Sequence, residues 1–298
     1  MQHTGDKRTL NPKRASAKRP ADVKTSQPVN NYALGYTDAE QDRLIRQAAL
    51  IAPITERLFR EAGIGPAYRV LDLGSGMGDV SMLVARLVGA SGEVVGIERD
   101  ARSIEQAKAR VAAAKLRNVR FLNSDVNNIV TDQLFDAAVG RFILMYLPDP
   151  VSVLRSAARL VRPGGVLAFQ EPSWTPMLAL GSGLPLWSRV LHSIQETLLR
   201  SGANPEVGFV LYRIFQEVGL PAPNMHLEIP LGSDPSFIQI ISGLLCSLRP
   251  IAHKHGVSLE KLGDFDTLQN RVCAEIAAAN TVVSLAPLVG VWSRKRKG

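Results

Sequence analysis

Three glycines at alternate positions close an apolar run in Arg69-Val70-Leu71-Asp72-Leu73-Gly74-Ser75-Gly76-Met77-Gly78-Asp79. Glycine belongs where a chain bends sharply and its backbone must come close to a ligand. A helix starting directly behind such a bend adds free N–H groups and a positive dipole end. The spacing narrows the choice of ligand. A dinucleotide fingerprint reads G-x-G-x-x-G and seats a pyrophosphate. Here its third position would fall on Asp79, whose carboxylate would repel a diphosphate. The acid at Asp72, before the turn, suits a ligand carrying an ammonium group. Glu98 stands twenty residues after Gly78, the interval at which an acid accepts hydrogen bonds from ribose hydroxyls.

The elements needed to position these residues follow in order. Val80, Leu83, Val84 and Leu87 repeat at i, i+3, i+4 and i+7, the period of a helix with one buried face. Strands are expected at 93–98, ending in Glu98-Arg99-Asp100, at 119–123, running into Ser124-Asp125-Val126, and at 135–140 and 166–170. Helices are expected over 102–116, and from the cap and first-position proline of Asp149-Pro150 to Pro163-Gly164-Gly165. Apolar β-branched runs alternating with helices mean a parallel sheet wound on both faces. Such sheets bind ligands at the carboxyl ends of their strands, where every distinctive residue falls. Ahead of the first strand, Thr37-Asp38-Ala39-Glu40 fits a capping box for a helix that Pro53 should kink or restart and that Gly63 and Gly65 end. Beyond Glu171, helical stretches at 187–201 and 208–218 lead to a strand at 225–230. Ser233 to Asn280, mostly helical over 237–248 and 265–279, then precedes a strand-like run at 281–291.

The glycine stretch resembles motif I of the class I S-adenosylmethionine-dependent methyltransferases, and Val95-Gly96-Ile97-Glu98 resembles their second motif. The resemblance covers about residues 30–292 and is specific over 68–171. It implies an α/β fold with a doubly wound, mostly parallel seven-stranded sheet, an N-terminal helical cap and a helical insertion before the last strand. It also implies S-adenosyl-L-methionine as cofactor. Asp72, Gly74, Ser75, Gly76 and Gly78 would hold the methionine end, and Glu98 with Arg99 the ribose. Asp125 would accept from the adenine amino group, with the Val126 N–H against the ring. Arg141, after the fourth strand, would lie between cofactor and substrate and could pair a carboxylate of either. Glu171 could accept a hydroxyl proton, although a sulfonium already activates its methyl group and a dedicated base is not required. Tyr36, Tyr146 and Trp174 are the candidates for acceptor contact. Gly140-Arg141-Phe142-Ile143-Leu144-Met145-Tyr146-Leu147 lacks the Asn/Asp-Pro-Pro-aromatic signature of nucleobase and amide methyltransferases. It is similar instead to the quinone-biosynthesis and natural-product group, which implies transfer to oxygen or carbon of a small molecule.

The expected organisation is a basic tail at 1–29, read as solvated disorder, and a methyltransferase domain at 30–298. Within it, 64–171 would bind the cofactor, and 31–62 with 233–280 would cap the substrate. The net charge of +8 resides in the tails: residues 1–29 carry +5, Arg294 to Lys297 add +4, and 30–293 sum to −1. The folded body therefore offers no basic stripe of the kind nucleic-acid binding requires. No run approaches the ~20 apolar residues of a membrane span, and the first 29 residues lack a secretory apolar core, so a cytoplasmic protein is expected. Cys246 and Cys273 have no C-x-x-C partner and are expected as buried thiols. His253 and His255 have no carboxylate at a ligand interval, so no metal site is expected. Three other readings stay open: a macromolecule methyltransferase guided by its tails, a non-catalytic cofactor-binding regulatory module, and a nicotinamide oxidoreductase, which Asp79 disfavours.

Overall fold

The structure, a computed structural model, describes residue 1 and residues 38–129, 131 and 133–297. Tyr36, the cap residue Thr37 and the basic tail lie outside the described residues. The chain divides into two units, Met1–Asn31 and Tyr32–Gly298, and every element below belongs to the second. In chain order these are α1 (Asp38–Glu61), β1 (Arg69–Leu73), α2 (Asp79–Val88), β2 (Glu93–Glu98), α3 (Ala101–Ala113), β3 (Val119–Asn123) and β4 (Phe135–Arg141). A 3₁₀ turn (Leu144–Tyr146) precedes α4 (Pro150–Leu160) and β5 (Val161–Pro172). There follow α5 (Thr175–Leu180), α6 (Pro185–Arg200), α7 (Val207–Glu217), β6 (Asn224–Glu228), β7 (Leu231–Gly232), α8 (Pro235–Lys254), α9 (Leu268–Ala278), β8 (Val283–Ser284) and β9 (Leu288–Arg294).

Seven strands form one sheet in the order β3-β2-β1-β4-β5-β9-β6. The strands from β3 to β5 are parallel, and β9 runs antiparallel between β5 and β6. Buried apolar side chains on both faces make each central strand a continuous apolar run, as doubly covered parallel strands require. Leu71 and Leu73 face one core, Val70 the other. From β1 the chain winds outward to β3 and returns to β4 on the opposite side. The carboxyl ends of β1 and β4 therefore flank the switch point, where open α/β sheets take their ligands.

Four expectations change. Pro53 does not restart α1, which runs as one helix of 24 residues; packing against α2, α8, β5 and β9 outweighs the cost of an interior proline. Strand β5 begins five residues before 166 and absorbs Pro163-Gly164-Gly165 through a register shift against β4 between Phe135 and Ala137. The run over 281–291 splits into β8 and β9 around Pro287, which has no N–H for a ladder but accepts through its carbonyl from Ser173 N at 3.0 Å. Cys246 is exposed and Cys273 only partly buried, so neither is the core thiol expected. Helix α8 is long and apolar enough to cross a membrane by length and composition. In this fold it packs against α1, α6 and α9.

Candidate functional site

A cavity of about 280 Å³ opens over the carboxyl ends of β1, β2 and β4 and runs between α1 and α8. Its floor is the glycine turn. Gly74, Gly76 and Gly78 have φ of 66°, 50° and 83°, left-handed values that favour glycine. A Cβ on Gly74 would meet Ile143 Cδ1 at 2.6 Å and one on Gly78 would meet Phe121 Cζ at 3.1 Å, whereas one on Gly76 would meet nothing within 4 Å. Gly76 thus leaves its space to the cavity. The turn is pinned from below: Ser75 N donates to Ile97 O at 2.9 Å and Gly78 N to Ser75 O at 2.8 Å.

Glu98 and Arg99 line the same end of the cavity. The Glu98 carboxylate accepts from Gly76 N at 3.0 Å, Arg99 N at 2.8 Å and Asp100 N at 2.9 Å. It therefore fixes the glycine turn and the start of α3 at once. Ser124, Asp125 and Val126 form the next stretch of wall, with Asp125 Oδ1 accepting from Asn127 N at 2.8 Å.

Asp72 is placed differently from the expectation. Its side chain is buried below the turn, accepts from Ser81 Oγ at 2.6 Å and leaves Oδ1 without a partner. The acid on the cavity wall is Asp79, paired with Arg110 at 2.6 Å. Gly78 likewise lies beneath the wall. Burial, opposed by the Ser81 hydroxyl and Arg141, lifts the Asp72 carboxyl to about 7 from its ordinary 3.8. A carboxyl with a raised folded pKa contributes its full stability below the unfolded value and loses it as pH climbs to the folded one. Asp72→Asn should therefore gain stability over the parent between about pH 4 and about pH 7, levelling above that at about 2–4 kcal/mol. Thermal melts across that range check this, and an advantage that does not grow with pH would refute it.

Arg141 lines the cavity at the end of β4. Its guanidinium donates to Thr55 Oγ1 at 3.0 Å, and Thr55 donates to Gln170 Oε1 at 2.7 Å. Burial lowers its pKa, opposed by Asp79 and Asp72, and it forms no ion pair among the described residues. A desolvated cation thus faces the cavity near the Asp79 carboxylate. Tyr146 and Trp174 also line the cavity. Burial pushes the Tyr146 phenol up, which keeps it neutral.

Glu171 does not reach the cavity. Fully buried, it accepts from Ile143 N at 3.0 Å, Leu144 N at 2.9 Å and, more weakly, Met145 N at 3.4 Å. Burial raises its carboxyl to about 7 against the pull of those N–H groups. It cannot meet an acceptor as a base; it holds the turn that forms the cavity wall. The sequence reading also missed a polar cluster at the far end: Glu40, Arg43 and Gln47 of α1, with Ser247 of α8 donating to Glu40. Glu40 was read as the acid of a capping box, and its i, i+3 spacing to Arg43 is one that exposed helices show routinely.

A family model described as "Methyltransferase domain" matches residues 64–202. An arsenite methyltransferase of Aquipseudomonas alcaligenes is 38% identical over 111 residues, covering 35% of this chain and 32% of that protein. A demethylmenaquinone methyltransferase of Bacillus cereus is 29% identical over 134 residues, covering 45% and 56%. The chain thus spans between about a third and just over half of the length of these curated relatives. A solved structure of a proposed methyltransferase from Bacillus halodurans superposes with a TM-score of 0.50 at 16% identity, covering 80% of this chain and 97% of that one. That likeness extends the fold beyond the matched family segment. Residues 64–202 thus match a methyltransferase domain, and a glycine turn at the switch point of a seven-stranded sheet gives the chain the class I methyltransferase fold.

Proposed function

We propose that this protein transfers a methyl group from S-adenosylmethionine to a small, largely apolar molecule, at oxygen or carbon. The observation that carries the reading is the continuity of one cavity, from the glycine turn and Glu98 to an apolar chamber between α1 and α8. The residues present fit the cofactor. Gly76 leaves open space, Glu98 offers a carboxylate on the cavity wall to ribose hydroxyls, and Asp125 with Val126 suits an adenine edge. Arg141 and Asp79 offer opposite charges to a zwitterionic amino-acid end, and Ser75 Oγ is buried with no partner of its own. Bound S-adenosylmethionine supplies an electrophilic methyl group. The chain's part is to bind, orient and exclude water.

Helices α1 and α8 wall the chamber, which supports a cap formed by 31–62 and the α8 part of 233–280. The relatives' names include arsenite and demethylmenaquinone methyltransferases, which supports a small acceptor. Soft arsenic would call for thiolates, and neither Cys246 nor Cys273 lines the cavity. Carbon or oxygen is therefore favoured.

Incubation with S-adenosylmethionine carrying a trideuterated methyl group and a small-molecule extract should yield a product heavier by that group. Tight cofactor binding without product from any small-molecule fraction would overturn the reading. Glu98→Ala should weaken both S-adenosylmethionine and S-adenosylhomocysteine by about 1–3 kcal/mol, since it removes a charged acceptor and releases three N–H groups. Calorimetry showing very different losses for the two ligands would remove Glu98 from the ribose.

A further inference from the structure

The chamber between α1 and α8 has walls of Leu44, Leu198, Ile240, Ile241 and Leu244, interrupted by one ion pair. Arg43 and Glu40 are 2% and 0% exposed. Arg43 Nε donates to Glu40 Oε2 at 2.7 Å, Nη2 to Glu40 Oε1 at 2.6 Å, and Nη1 to Gln47 Oε1. Ser247 of α8 donates to Glu40, so the cluster ties the two helices together. Packing does not demand such a pair. Two desolvated charges contribute little to folding, and apolar side chains of the same volume commonly do as well or better.

We propose that this cluster selects the acceptor: a neutral, largely apolar molecule held through one oxygen function, a hydroxyl or a carbonyl, by the Arg43 guanidinium. The inference rests on the methyl-transfer reading and narrows its acceptor. A guanidinium has five N–H donors, and three are used within the cluster. Two have no partner among the described residues, and Arg43 lines an apolar chamber, where an unpaired donor is costly and a ligand oxygen that meets it gains correspondingly. The charges decide which oxygen. Arg43 is neutralised by Glu40, so a carboxylate or phosphate would lose its hydration without gaining a counter-charge and would face the Glu40 carboxylate. A plain hydrocarbon would leave both donors unmet. A neutral oxygen satisfies them at no electrostatic penalty. Tyr146, within electrostatic reach of Arg43 and Glu40 and kept protonated by burial, adds a neutral polar group to the same wall.

Three probes of one shape separate these cases: 2-naphthol, naphthalene and 2-naphthoate, each measured by equilibrium dialysis against the full chain saturated with S-adenosylhomocysteine. 2-Naphthol should bind at least about tenfold more tightly than either of the others. In the paired replacement Glu40→Leu with Arg43→Met, the preference for 2-naphthol over naphthalene should fall below about threefold, with S-adenosylhomocysteine affinity retained. Arg43→Lys keeps the charge without the planar fork and should lose most of the preference as well. It answers the question should the paired variant not fold. A preference unchanged in either folded variant, tightest binding of 2-naphthoate, or no binding of any probe to the loaded parent would overturn the inference alone. A parent that does not bind S-adenosylhomocysteine would overturn the methyl-transfer reading, and this inference with it.

Discussion

Gly76→Val will abolish S-adenosylmethionine binding while the protein remains folded. The two halves of that result have separate causes. A Cβ at Gly76 meets no protein atom within 4 Å, so the added side chain projects into the cavity and does not disturb the core. The backbone at φ 50° is unfavourable for a branched residue and costs about 1–3 kcal/mol, a loss a folded domain of this size tolerates. The space filled is that beside the glycine turn, where the ligand must approach the backbone most closely. Gly74→Val makes the contrast, because its Cβ would drive into Ile143 Cδ1 at 2.6 Å and Cγ1 at 2.8 Å. That variant should lose stability as well as binding. Calorimetry on the Gly76 variant, with circular dichroism as the fold control, decides the matter. Unchanged affinity would mean that the cofactor does not lie over this turn.

The glycine turn was legible because its residue types are dictated by backbone geometry, and geometry of that kind shows directly in sequence. Left-handed φ at Gly74, Gly76 and Gly78 leaves glycine as the favoured residue. The strand positions of β1, β2 and β4 were legible for a similar reason, since strands buried on both faces read as short apolar runs. What sequence could not show was the direction of a polar side chain at a strand end. Asp72 alternates with Leu71 and Leu73, so it shares the face of Val70 and points to Ser81 on α2, away from the cavity. Glu171 shares the face of Phe169 and turns toward the 143–145 backbone, while its neighbour Gln170 meets Thr55 of α1 on the other face. The Glu40–Arg43 pair was illegible for another reason. An acid and a base three residues apart on a helix normally face water. Among the described residues, α8 packs over the pair, and its Ser247 lies 207 residues away in sequence. Long-range packing of this kind leaves no local trace.

Glu171→Ala should lower stability by about 3–5 kcal/mol and widen KM for the acceptor far more than it weakens the cofactor. The carboxylate is the partner of three consecutive backbone N–H groups at the mouth of the 3₁₀ turn. Those donors precede the first complete turn and have no intrahelical acceptor. Alanine leaves them buried and unpaired, at about 1–3 kcal/mol each when nothing relaxes. Partial relaxation of the turn brings the sum below the simple total. The same turn is strained at its entry, with Phe142 at φ 56°, and is tied to β5 by Phe142 N donating to Gln170 O at 3.0 Å. Once the Glu171 anchor goes, Ile143, Met145 and Tyr146 lose their fixed position in the cavity wall. The glycine turn keeps its own anchors at Ile97 and Glu98, so cofactor affinity should fall by no more than about tenfold. Glu171→Gln retains one carbonyl oxygen and should cost about 1–2 kcal/mol. Chemical denaturation of the two variants, paired with S-adenosylhomocysteine calorimetry, tests the assignment. Equal and small losses in both would show that the turn holds itself. A rate loss in Glu171→Gln with stability and acceptor KM unchanged would return Glu171 to the role of a base.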